Sequence, residues 1–120
     1  MENHISTRVN EVKKLIDAMG HEIDWIDNDL ISVDRGLWQI VTDDKFPQDI
    51  YLSFHVNACP NMAASIYKRL SYLADLIGID VVLGEVYAFE LDKDDKIKEV
   101  TFGQDAYATV GRDHYFGLDR

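Results

Sequence analysis

Cys59 lies directly before Pro60 and the start of a helical stretch, where unpaired amides and the positive end of a helix dipole favour a thiolate. His55, four residues earlier on a predicted strand, could act as its base, with Asp49 or Asp113 orienting the imidazole. A small thiol-dependent enzyme is therefore one reading of the chain. The plainer reading is a small apolar side chain. A single cysteine beside an apolar segment, with no further spacing signature, is ordinarily that.

His55 and Cys59 could also open a zinc site that His21 and His114 complete. Zinc sites, however, carry short-spaced ligand pairs at both ends, and here only one such pair exists. Asp27-Asn28-Asp29 and Asp92-Lys93-Asp94-Asp95 do not spell a calcium loop. Counted from Asp92, the sixth place is Ile97 rather than glycine and the twelfth is Gly103 rather than glutamate. Gly103, Gly111 and Gly117 are not at a strand-to-helix junction that could cradle phosphate. No metal and no cofactor are expected. Glu85 and Glu90 interrupt an apolar run, where an unpaired carboxylate would be costly. Glu85 is expected either to meet a cation such as Lys98 or Arg112 or to mark a place where the strand opens to water.

The strongest signal is electrostatic. Residues 17 to 49 hold nine acidic side chains and two basic ones, Arg35 and Lys45, within a 120-residue chain of net charge −10. Such a chain repels phosphate backbones and gains nothing from counterion release, so direct nucleic-acid binding is not expected. Lys68-Arg69 is too short a basic run to alter that. The field favours a protein partner with a basic surface, nucleic-acid-binding proteins among them. Its plainer role is to keep the chain from self-associating. The lone cysteine and a polar beginning at Met1–Thr7 fit a reducing, cytoplasmic setting, and no apolar run approaches a membrane span.

The elements that must position these residues follow from periodicity. Ile5, Val9, Val12, Leu15, Ile16 and Met19 predict a helix ending at Gly20. A short strand or an extended lead-in at Ile23–Trp25 comes next, and Asp34-Arg35-Gly36 joins two paired strands, Leu30–Val33 and Leu37–Thr42. Residues 50–56 alternate as a strand, and Met62, Ile66, Leu70, Leu73 and Ile77 predict a second helix ending at Gly78. Val81–Leu91 reads as one central strand and Ile97–Phe102 as its hairpin partner. Residues 103–120 read as an aromatic, glycine-rich tail with an edge strand near Ala106–Val110 or an interface segment.

The predicted fold is α+β: one domain over residues 1–102, a mostly antiparallel sheet of five to six strands with two helices on one face, in the order α-β-β-(β)-β-α-β-β. From about Ile5 to Phe102 this order resembles that of type III secretion chaperones and related small dimeric modules, without the closing helix of those chaperones. The resemblance is one of architecture and assigns no site residue. The functional expectation is a non-catalytic inhibitor, adaptor or chaperone-like module. It would dock a basic partner through Glu22, Asp24, Asp27, Asp29, Asp34, Asp43 and Asp44, with Tyr115 and Phe116 as aromatic anchors. Trp38 is expected in the core. A structural homo-oligomer, dimeric through a sheet edge or the tail, is a further alternative.

Overall fold

The computed structural model describes residues 7–94 and 96–109. Val9, Val12, Ile16 and Met19 are buried along one stripe of helix α1 (Thr7–Met19), which Gly20 ends at φ 84°. Four strands then follow as a meander: β1 (Ile23–Asp27), β2 (Leu30–Val33), β3 (Trp38–Thr42) and β4 (Asp49–Phe54). Helix α2 (Pro60–Asp75) crosses over to β5 (Asp80–Leu83), which joins β4 in parallel. The resulting sheet has the order β1-β2-β3-β4-β5, with every other neighbour antiparallel.

Register decides which face each side chain occupies, because directly paired residues point the same way. Ile31, Ile40 and Leu52 form one row, Val33, Trp38 and Phe54 the next. These rows join Val9, Val12 and Ile16 of α1 and Ile66, Leu70 and Ala74 of α2 in a single core. Trp38 is fully buried there, as its place in the sequence predicts. Helical periodicity overreaches at one point. Ile77 lies past the end of α2 and is exposed, while Ala74 takes the last buried place.

Two differences from the sequence-based expectation have clear causes. The run Val81–Leu91 is broken into β5 and β6 (Tyr87–Leu91), which belong to different sheets. Strand β6 pairs antiparallel with β7 (Ile97–Phe102), and it stays tied to the end of β4 through a parallel bridge between His55 and Tyr87. The break falls at Gly84-Glu85-Val86. The Gly84 N–H donates to Leu52 O at 2.8 Å, and a Cβ on Gly84 would come within 2.6 Å of Ser53 Oγ. Residues 104–109 form a short helix, α3 (Gln104–Thr109), where an edge strand was expected near Ala106. Gly103, at φ 63°, turns the chain into it, and Ala106 is buried beneath it.

The close approach at Gly84 is testable. Gly84→Ala should destabilise the fold by about 1–2 kcal/mol in urea unfolding, and most of that cost should vanish in a Ser53→Ala background. Equal costs in both backgrounds would rule out the Ser53 contact as the cause.

Candidate functional site

The three antiparallel hairpins and the parallel β4–β5 pairing bring one end of every strand to the same edge of the large sheet. That edge receives Asp27 from the end of β1, Asp29 from the β1–β2 turn, Asp43 and Asp44 from the loop after β3, Asp49 from the start of β4 and Asp80 from the start of β5. The pairings are direct: Asp27 faces Leu30, the Thr42 N–H donates to Asp29 O at 2.9 Å, and Asp49 faces Asp80. Asn28 takes a positive φ of 56° and lets β1 turn into β2 in two residues.

Tyr51 reports on this crowding. Partial desolvation, then the Asp49 and Asp43 carboxylates, push its phenol above the ordinary tyrosine value. Among the described residues the ion pairs join Arg8 to Glu11, His21 to Asp34 and Lys98 to Glu90, so none of them neutralises the six aspartates at this edge. Asp43 caps its own loop by accepting from the Lys45 N–H at 2.9 Å. In the same loop Phe46 is 55% exposed, and residues 45–49 line a shallow groove of about 280 Å³. An exposed aromatic in a loop that begins and ends with aspartates has the composition of an interface anchor.

The acidic run of the sequence is thus divided by the fold. Glu22, just before β1, and Asp24, its second residue, lie toward the opposite edge, where Asp34 joins them; Glu22 is five positions from Asp27, about 17 Å of extended chain. Asp24 accepts from Ser32 Oγ at 3.1 Å and from the Arg35 and Gly36 amides at 2.8 and 2.9 Å. Asp34 accepts from Trp38 Nε1 at 2.8 Å, and His21 Nδ1 lies 2.7 Å from it. These two carboxylates hold the β2–β3 loop, in which Asp34, Arg35 and Gly36 all take positive φ. Glu22 is exposed beside them. Asp80 and Phe46 were missed by sequence reasoning. Asp80 is far from the acidic run in the chain and arrives only through the parallel pairing, while Phe46, next to Pro47 in a loop between aspartates, was a visible but unused signal.

Cys59 is exposed at the N-cap of α2. The Met62 and Asn61 amides point toward its sulfur and lower its pKa, although no formed side-chain cap hydrogen bond is present. His55 is buried, with its Nδ1 accepting from the Asn57 N–H at 3.0 Å and its ring against Tyr87 and Phe89. Asp49 is at the other end of β4 from His55, six residues away, so it does not orient the imidazole. Asp113, His114, Tyr115 and Phe116 lie outside the described residues. Because the Cys59 thiol is held below its ordinary value, alkylation should have a pH midpoint lower than that of a free cysteine and run faster at neutral pH. A midpoint at the free-thiol value, read from iodoacetamide rates, would remove the helix-terminus effect.

Glu85 is exposed at the strand break and its carboxylate lies over Gly103, while Lys98 pairs with Glu90 at 3.9 Å. Of the two cations expected for Glu85, Lys98 therefore serves Glu90 and Arg112 lies outside the described residues, while the exposure of Glu85 fits the other expectation, a place where the strand opens to water. Among the described residues no group of three metal-capable side chains converges, and no helix is long and apolar enough to cross a membrane. No protein-family model, curated protein or solved structure matches the chain.

Proposed function

We propose that the chain is a non-catalytic docking module whose acidic strand-end edge binds the basic surface of another protein. The observation that supports this reading is the gathering of Asp27, Asp29, Asp43, Asp44, Asp49 and Asp80 from five strands at the edge that also carries exposed Phe46, with no ion pair to any of them among the described residues. Holding like charges together opposes folding, so the same arrangement is costly unless an outside cation relieves it. The field would steer encounter and Phe46 would anchor the complex once formed.

The test uses two variants of the full chain. Neutralising Asp27, Asp29, Asp43 and Asp49 to asparagine should lower the association rate with a captured partner by roughly tenfold or more, and added salt should reproduce that loss in the native chain. Phe46→Ala should speed dissociation and leave the salt dependence intact. Capture that ignores both variants and salt would sink the reading.

A further inference from the structure

The two edges of the large sheet are treated differently. Strand β1 is defended: its register shifts by a bulge between Ile23 and Trp25, and Glu22, Asp24 and Asp27 place charge along it. Strand β5, Asp80-Val81-Val82-Leu83, has no lysine, no proline and no bulge after its first residue. Val82 is 39% and Leu83 54% exposed.

Among the described residues no strand pairs with the outer side of β5. The Asp80 and Gly84 amides donate back to Gln48 O and Leu52 O, both at 2.8 Å. By the two-residue period of a strand, Val82 also faces β4, which leaves the N–H and C=O of Val81 and Leu83 on the outer side. Tyr72, 65% exposed, flanks that side from α2. It lines a groove of about 580 Å³ between helix and strand, together with Lys68, Asp75 and Val81.

We infer that a second copy of this chain occupies the β5 edge, pairing β5 antiparallel with its own counterpart about a two-fold axis through Val82. The pattern of open groups is self-complementary in this register. Val81 faces the second copy's Leu83 and exchanges both backbone hydrogen bonds with it, the reciprocal pair does the same, and Val82 meets Val82 across the axis. The two sheets become one of ten strands. Helix α2 of each copy lies against the other on the same face, and each groove is closed by the neighbouring helix.

Size fits this occupant, and charge, which opposes self-association, selects its orientation. A 16-residue helix is about 24 Å long. With helix and sheet layers together roughly 20 Å deep, each copy presents roughly 500 Å², so the pair buries about 1,000 Å², where specific interfaces begin. Each copy has a net charge of −10, and antiparallel pairing sends the two acidic strand-end edges to opposite ends of the joined sheet, where they repel least. The inference is independent of the docking role, since it rests on the backbone of Val81 to Leu83, and of β5 only Asp80 belongs to the strand-end edge.

Sedimentation equilibrium of the full chain at tens of micromolar should give a dimer, and Val82→Glu should give a folded monomer with unchanged circular dichroism. Val82→Cys in a Cys59→Ser background should form an intermolecular disulfide under mild oxidation. Non-hydrogen-bonded antiparallel partners have Cα atoms about 4.5 Å apart, within the range a disulfide spans. Glu99→Cys, exposed on β7, should not cross-link in that background. A native chain that is monomeric overturns the inference and leaves β5 open to an extended segment of another protein. A dimer that survives Val82→Glu, or that fails to cross-link at Val82, overturns it equally.

Discussion

Asp34→Ala is expected to lower the unfolding free energy by about 3 kcal/mol, out of proportion to its half-buried position. The Asp34 carboxylate accepts from the Trp38 indole N–H and the Glu22 amide and pairs with His21, while its own amide donates to Glu22 O at 2.8 Å. Trp38 is fully buried, so alanine at position 34 leaves its Nε1–H without an acceptor, at a cost of about 1–3 kcal/mol. Position 34 also takes φ 55°, which aspartate tolerates better than alanine; that adds about 1 kcal/mol. Asp34→Asn keeps an acceptor and the backbone preference, and should recover more than half of the loss. Urea unfolding followed by tryptophan fluorescence separates the variants. Alanine and asparagine variants that both match the native midpoint would show that the indole does not depend on this carboxylate.

Tyr87→Ala should cost about 3–5 kcal/mol and should loosen the small sheet first. Tyr87 is fully buried at the point where the two sheets meet. Its hydroxyl donates to Gly36 O at 2.6 Å, across 51 residues of chain, its carbonyl accepts from the Val56 N–H at 2.9 Å, and its ring packs on His55, Phe89 and Phe102. Removing the ring takes away both the apolar fill and the tie to the β2–β3 loop. Tyr87→Phe isolates the hydroxyl, with an expected loss of about 1–2 kcal/mol because the carbonyl of buried Gly36 then loses this donor. Hydrogen exchange provides the distinguishing readout. In the alanine variant the β6 and β7 amides should lose protection by a larger factor than those of β2 and β3. Uniform loss across both sheets would mean that Tyr87 supports the core as a whole rather than the junction.

What was legible in the chain was local. Helices α1 and α2 follow from apolar spacing with glycine stops, and the β2–β3 hairpin from Asp34-Arg35-Gly36, because one stretch of sequence determines each. The division of Val81–Leu91 was not legible, since both halves are apolar and only the approach of Gly84 to Leu52 and Ser53 separates them. The acidic run was legible as composition and illegible as a surface. Whether Glu22, Asp24 and Asp34 share an edge with Asp27, Asp29, Asp43 and Asp44 depends on strand direction, and whether a carboxylate is free depends on partners such as the Trp38 indole. Asp80 could be placed at the edge only by knowing that β5 runs parallel to β4.

The parallel crossover also orders assembly in time. Strands β1 to β4 are joined by short connections and can zip together as soon as residues 23–54 are available, because closing small loops is fast. Strand β5 reaches its place only after α2 has folded back along the sheet, a contact of longer range and slower formation. During synthesis β4 is therefore the bare margin of a growing chain until residue 84 has emerged. The rate at which α2 nucleates then governs how long that margin stays open to mispairing with neighbouring chains.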